Sequence, residues 1–386
     1  MKILYIAQKI PYPIYQDGGT LMNYNILKRF NKNHSIDLLT FSDQEFPLNY
    51  TSILCENYYE IKDKSVLTWK HYLKSILFFL PPFYFNKSTQ FENKIKDLIK
   101  MNEYDAIYID SIHMEKYSKG IKHPKKIISL HDSISLLYNT FYNNTNKFGL
   151  KVYYKICSII FKRYENKTIN SYTKCFFVSD KDINYLKNNN KNVKVIPNGV
   201  DLETFNYNNE EKLDENIIVF SGIMDYKPNV DAVIYFCEKV LPLVIFNNPT
   251  IKFHIIGKNP TIEIKQLASE NIVITGWVEN IAEHIKKGII YVSPLITGAG
   301  LKNKILEAMA LKIPIIATTI SIDGINVINE KHICIVDSPV LFAAKINELL
   351  RDESKRNNLI NNSFNLINEN YNWDKIVEQY IFEIQQ

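Results

Sequence analysis

The strongest constraint on this chain is a rhythm. Short apolar runs alternate with helix-like stretches: Ile3–Ala7, Ser35–Phe41, Tyr104–Asp110, Lys126–Leu130 and Lys174–Val178, each bounded by turn or charge signals. Strands buried on both faces of a parallel sheet read in this way, and helices separating them predict a doubly wound α/β architecture. The rhythm breaks at VKVIPNGVDLETF (193–205) on a Pro-Asn-Gly turn, then restarts with Asn216–Ser221, Ile251–Gly257, Asn271–Thr275, Gly288–Val292, Pro314–Ala317 and His332–Val336. The expected fold is therefore α/β, with two tandem Rossmann-like domains facing a cleft. The first spans 1–195 and the second 196–371, with an amphipathic helix at 372–386 packing back on the first. Ligands of open α/β sheets bind beyond the carboxyl ends of the strands, so the loops there are where chemistry is expected.

Composition excludes several alternatives. The 386 residues are 46% hydrophobic and 23% charged, which suits a chain with real cores rather than a disordered, collagen-like or disulfide-scaffold one. The net charge of +5 conceals an asymmetry. Residues 1–200 carry 29 Lys and Arg against 17 Asp and Glu, and the remainder carries 17 against 24. A basic half suits nucleic acid, anionic lipid or a phosphorylated ligand, or is simply a solvated surface. No recognised nucleic-acid module accompanies it, so nucleic acid is disfavoured. The five cysteines form no CxxC and no His cluster joins them, which argues against disulfides and structural zinc and for a reducing cytoplasm. The opening MKILYIAQKIPYP does not read as a signal peptide. No stretch reaches the roughly 18 apolar residues of a membrane span.

The segment YVSPLITGAGLKNKILEAMALKIPIIAT (291–318) is the strongest site candidate. A loop with Gly298 and Gly300 leads from a strand into a helix expected from Leu301 to about Lys312. Free N–H groups and the positive end of the dipole at such a start suit a phosphate. Lys304 and Glu307, three apart, share a helix face; a cation there can meet a diphosphate and a carboxylate can accept from ribose hydroxyls. A solvated Lys–Glu pair is the plainer alternative.

The segment GAGLKNKILEAMALKIPIIAT resembles the donor-binding signature of retaining glycosyltransferases of the GT-B fold, family 4 (group 1). IPNGVD (196–201), FSGIMDYKPNVDAVIYFCEKVLP (220–242), FHIIGKNP (253–260) and ITGWVENIAEHI (274–285) are similar to further landmarks of that family, as are Gly18-Gly19 and LHD (130–132). The matches run in the family's order over nearly the whole chain.

The resemblance implies roles. Glu307 would hold the ribose and Lys304 the donor diphosphate, with Gly298, Gly300 and Leu301 presenting backbone N–H groups. Gly222 would let its loop pass close to the nucleotide, with Lys227 a weaker cation. Trp277 and Val278 would line the base; a Trp buried between strand and helix is the alternative. Gly18 and Gly19 would approach the diphosphate from the first domain, or form a tight turn before a helix. His131 would face the cleft near the reacting carbon, and Asp132 would cap the next helix. Two departures stand out. Ala299 occupies the place of a family carboxylate that reads sugar hydroxyls, and the 222–227 loop (GIMDYK) holds Lys227 as its one cation.

The implied activity is transfer of a sugar, of hexosyl type and with retention, from a nucleoside-diphosphate sugar to a glycan or lipid-linked acceptor in surface-polysaccharide synthesis. No cofactor is implied, and the family generally needs no bound metal; Asp180–Asp182 (DKD) reads as helix capping. A sugar-nucleotide epimerase of the same fold or a non-catalytic glycan- or nucleotide-sugar-binding protein are the alternatives. WKHYLK (69–74) followed by SILFFLPPFYF (75–85), and KVYYKICSIIFKR (151–163), mix Lys with aromatics as interfacial segments do, which makes an anionic membrane surface a candidate partner. Buried helices with snorkelling Lys are the alternative. The expected location is cytoplasmic, or peripheral on the cytoplasmic face of the inner membrane.

Overall fold

The computed structural model describes residues 1–12, 18–42, 48–63, 67–188, 190–205, 214–298 and 300–386. It divides into two compact units, Met1–Pro197 with Ile376–Gln386, and Asn198–Lys375.

The first unit holds a seven-stranded parallel sheet. Its strands are β1 (Lys2–Lys9), β2 (Ser35–Phe41), β3 (Asn57–Ile61), β4 (Ala106–Asp110), β5 (Lys126–His131), β6 (Lys174–Phe177) and β7 (Val193–Val195), in the order β3-β2-β1-β4-β5-β6-β7. Ile3 pairs with Ile36 on one side and Ala106 on the other. Ile3 to Ala7 are fully buried because helices cover both faces, which is why this strand reads as an unbroken apolar run. The sequence rhythm does not mark β3 and β7. Both are edge strands, half-exposed and partly polar (NYYEI and VKV), so neither carries the run that a central strand needs.

The second unit holds a six-stranded parallel sheet: β8 (Asp214–Ser221), β9 (Lys252–Ile256), β10 (Ile272–Gly276), β11 (Gly288–Ser293), β12 (Ile315–Ala317) and β13 (Cys334–Ile335), ordered β10-β9-β8-β11-β12-β13. Alternate residues of β8 feed two cores: Ile218 and Phe220 on one face, Ile217 and Val219 on the other. Each sheet reverses its order once, between β1 and β4 in the first and between β8 and β11 in the second. Those reversal points open the crevices in which such sheets hold ligands.

The helix Trp373–Gln385 supplies the returning part of the first unit. Tyr380 meets the Phe176 ring edge-on, centroids 4.9 Å apart. Glu383 takes Lys174 at 2.6 Å and Lys194 at 3.0 Å. All five cysteines are buried free thiols.

Candidate functional site

In the second unit the crevice lies between the loops that follow β8 and β11. The first loop opens with Gly222. A Cβ there would come 2.6 Å from Asn229 Nδ2 and 2.8 Å from Lys304 Nζ, so only glycine leaves both polar groups in place. Gly257, at the end of β9, has the same constraint more severely: its Cβ would fall 1.7 Å from the Gly222 carbonyl oxygen.

The second loop is held at its root by a buried hydroxyl cluster. Ser321 Oγ donates to the Ser293 carbonyl (2.6 Å), and Thr318 Oγ1 donates to the Leu295 carbonyl (2.6 Å). Gly298 and Gly300 then take φ of 130° and 75°, a region that favours glycine. The helix begins at Asn303, two residues later than the sequence suggests, and ends at Ala310. Lys302 is its N-cap residue, extended at φ −100°, ψ 92°, and the Lys302 amine bends back to the Gly300 carbonyl. Ile305, Ala308 and Met309 are fully buried and Leu301 packs against the same core, so the expected apolar stripe anchors the helix.

Lys304 and Glu307 share the opposite face as expected, but they form no ion pair. Lys304 Nζ donates to Asn229 Oδ1 at 2.7 Å and lies 4.3 Å from the centre of the Phe220 ring. Burial pushes its pKa down to about 7, which the Glu307 charge opposes and the Lys302 charge reinforces. Glu307 is raised to about 7 by burial, against the pull of Lys304. Among the described residues its carboxylate has no hydrogen-bond or ion-pair partner. Half-buried and unpaired, it is placed to accept from a ligand hydroxyl.

Other expected donor residues are arranged differently. Lys227 turns outward and pairs with Asp231 one helical turn on, so it adds little charge to the crevice. Trp277 is 71% exposed, which rules out the buried alternative. It follows the edge strand β10, two strands from β8, so the structure does not gather it with Lys304. Val278 packs half-buried against the lower core. Ala299 lies outside the described residues. Asn229, Phe220 and Lys302 were missed by sequence reasoning; only the Asn in YKPN could have signalled the first.

In the first unit, Asp110 ends β4 and His131 ends the neighbouring β5. His131 Nε2 lies 2.7 Å from Asp110 Oδ1, and Nδ1 lies 3.0 Å from Met22 Sδ. Asn23 Nδ2 donates to the other oxygen of Asp110 (2.7 Å), and Tyr5 OH donates to Asn23 Oδ1 (2.7 Å). His131 has φ 58° and Ser111 φ 74°. Non-glycine residues held there cost about 1–3 kcal/mol each and cluster at functional sites. His113, beside this network, is pushed down to about 4 by burial, with Lys116 adding to the shift.

Several first-unit expectations need correction. Gly18 and Gly19 form the exposed first turn of helix Gly18–Asn33 rather than a turn before it; residues 13–17 of the expected turn lie outside the described residues. The cap of helix Ile134–Asn144 is Ser133, not Asp132: its side chain accepts from the Leu136 N–H. The DKD pair does not cap its own helix either. Ser179 does so, and Asp182 instead accepts from the Ser133 N–H at 2.8 Å. Glu165 completes this buried knot, accepting from Ser133 Oγ (3.0 Å) and Ser135 N (3.3 Å). Burial raises both carboxyls to about 7. Among the described residues no cluster of His, Cys, Asp and Glu has the arrangement of a metal site.

The first basic-aromatic segment is largely on the surface, whereas 151–163 buries Cys157, Ser158, Ile160 and Phe161 and exposes Val152, Tyr153 and Ile159. In helix Trp69–Phe78 only Ser75 is buried, and Trp69, Leu73, Leu77 and Phe78 are more than half exposed. Phe83, in the turn that follows it, packs its buried ring against Phe161 of the second segment, centroids 6.0 Å apart and tilted by 48°. That buried contact joins the two segments, and Phe141 and Phe148, just before the second, are exposed as well. No acidic residue occurs between Asp63 and Glu92 or between Asp132 and Glu165. Among the described residues no helix is long and apolar enough to cross a membrane.

Comparison with known proteins converges on one class. Residues 17–204 match the family model Glycosyltransferase Family 4, and residues 215–352 match Glycosyl transferases group 1. The chain thus carries glycosyltransferase domains of the group 1 and family 4 type. It is 25% identical over 392 residues to an uncharacterised 44.6 kDa protein in the cps region of Klebsiella pneumoniae, covering 97% of each. Among solved structures it is similar to Anabaena Alr3699/HepE in complex with UDP (TM-score 0.70, 13% identity, 100% of both chains). It is also similar to S. aureus TarM (0.69, 14%, 100% and 99%). A third match is a glycosyltransferase from Rickettsia africae (0.69, 16%, 100% and 97%). The fold is that of GT-B glycosyltransferases: two Rossmann-like, parallel-sheet domains.

Proposed function

We propose that this protein is a glycosyltransferase that moves a sugar, of hexosyl type, from a nucleoside-diphosphate sugar to a glycan or lipid-linked acceptor, with retention and without a metal. The observation that carries the reading is the pair Lys304 and Glu307 at the β8/β11 crevice: an amine held by a neutral amide, and an unpaired half-buried carboxylate one turn on. When the bond between the anomeric carbon and the β-phosphate oxygen breaks, negative charge develops on the leaving diphosphate. A preorganised amine and the N–H groups at the start of helix Asn303–Ala310 would stabilise it. Glu307 would accept from ribose hydroxyls. Retention would follow from attack by the acceptor hydroxyl on the face the diphosphate leaves. Asp110 and His131, at the carboxyl edge of the first unit's sheet, would act near the reacting carbon.

The partners proposed follow the same logic. The similar HepE is described in complexes with UDP and UDP-glucose, and TarM with UDP and α-GlcNAc-glycerol; this supports a nucleotide sugar as donor. The relative from a cps region supports a role in surface polysaccharide. The exposed, acid-free aromatic and lysine patch of the first unit supports peripheral attachment to the anionic cytoplasmic face of a membrane, where a lipid-linked acceptor would be met.

The test is release of nucleoside diphosphate from a panel of nucleotide sugars, with wild-type, Lys304→Ala and Glu307→Ala proteins. Turnover of at least one donor, lost in both variants, is expected. Unchanged rates in both variants would overturn the site; no release from any donor, with binding retained, would point to the non-catalytic alternative.

A further inference from the structure

The contacts of Lys304 say more than that a cation is present. Its amine is located by neutral groups: the Asn229 amide oxygen at 2.7 Å, the face of Phe220 at 4.3 Å, and the open space above Gly222, where any Cβ would collide with it. Glu307 and Lys302 are felt as charges, but among the described residues no carboxylate lies within the 4.0 Å of an ion pair.

Asn229 is itself fixed at both ends. Its Nδ2 donates to the Ile223 carbonyl (2.9 Å), and its backbone N–H donates to the Tyr226 carbonyl (2.8 Å). It is 5% exposed. Because a carbonyl can accept only from the amide nitrogen, the amide oxygen must face Lys304. A carboxylate at this position could still bond the amine through one oxygen, though its other oxygen could not donate to the Ile223 carbonyl. It would also cancel the charge that a diphosphate needs.

We propose that Asn229 is a positioning residue that holds the Lys304 amine over the crevice while sparing its charge, and so sets the preference of the site for a nucleoside diphosphate over the nucleoside alone. This rests on the donor reading given above. The same arrangement makes Gly222 part of the device, since its missing side chain is the space through which a phosphate reaches the amine.

The experiment has two arms. In the first, affinities for UDP, GDP and the corresponding nucleosides are measured by titration calorimetry. Asn229→Asp is expected to weaken diphosphate binding tenfold or more while leaving nucleoside binding within about threefold. Asn229→Ser, neutral but shorter, is expected to restore most of the ratio. If the Asp variant does not fold, Asn229→Ala is expected to weaken diphosphate binding several-fold, again without affecting the nucleoside. In the second arm, no ligand is needed: NMR of lysine-labelled protein follows the Lys304 amine through a pH titration. Asn229→Asp is expected to move its midpoint up by a unit or more, because a carboxylate favours the charged amine.

An unchanged diphosphate-to-nucleoside ratio and an unchanged midpoint would overturn the proposal. Should the wild-type protein bind no diphosphate while the midpoint still moves, the donor reading would fall and the positioning role of Asn229 would stand.

Discussion

Asp110 Oδ1 and His131 Nε2 are 2.7 Å apart at the ends of two adjacent strands. The pair is fixed from behind by Asn23 and Tyr5. Asp110→Asn keeps the shape and removes the charge that orients the ring. Transfer is expected to slow tenfold or more, with the melting temperature changed by only a few degrees. A rate within twofold of wild type would show that His131 needs no oriented ring.

Lys304 offers a pH signature. Its pKa is lowered to about 7 in the folded protein, so without ligand the amine loses its proton as pH rises through that value. Diphosphate affinity is expected to fall between pH 6.5 and 9. Lys304→Arg, which stays charged, should flatten that dependence. Calorimetric titrations across this range check it.

The knot of Glu165 and Asp182 predicts a pH dependence of stability. Both carboxyls are raised to about 7 by burial. A raised folded pKa contributes stability that is present below the unfolded value and lost as pH rises through the folded one. Glu165→Gln stays neutral throughout. The melting temperature of this variant relative to wild type is therefore expected to climb between about pH 4.5 and 7, by the equivalent of at most about 3 kcal/mol. A pH-independent difference would show that Glu165 stays ionised in the fold.

Gly222 and Gly257 separate function from folding. Alanine at 257 would strike a backbone carbonyl at 1.7 Å, whereas alanine at 222 would strike two side chains. Gly257→Ala is expected to lower the melting temperature sharply or prevent folding. Gly222→Ala is expected to fold and to lose diphosphate binding, as the amine and amide are displaced. Thermal melts and calorimetry on the two variants distinguish these outcomes.

The surface patch predicts lipid dependence. Leu77→Glu with Phe78→Glu replaces two of the more exposed apolar side chains in helix Trp69–Phe78. Flotation with vesicles rich in anionic lipid is expected for wild type and lost in the double variant, with donor turnover in solution unchanged. Equal flotation of wild type with neutral vesicles would count against the charge component.

These sites differ in how far the sequence exposes them. Lys304 and Glu307 were legible because both lie on one helix after a glycine loop, where spacing alone assigns a shared face. Asn229 was not, since its meeting with Lys304 joins residues 75 positions apart and depends on β8 and β11 being neighbours. Asp110 was hidden in the same way: strand order brings it beside His131, and a lone Asp at a strand end carries no pattern. The central strands showed as apolar runs, while β3 and β7 escaped because an edge strand keeps polar residues toward water. The capping roles of Asp132 and of the DKD pair were misassigned because a cap is decided by the dihedral of one residue, and serine stood next to aspartate in both places.

The first unit is completed by Ile376–Gln386, a segment that follows the entire second unit in the chain. During synthesis, β6 and its neighbours emerge long before Tyr380 and Glu383, the residues that pack on Phe176 and pair with Lys174 and Lys194. The sheet of the first unit therefore gains its last flank only once the second unit has been translated.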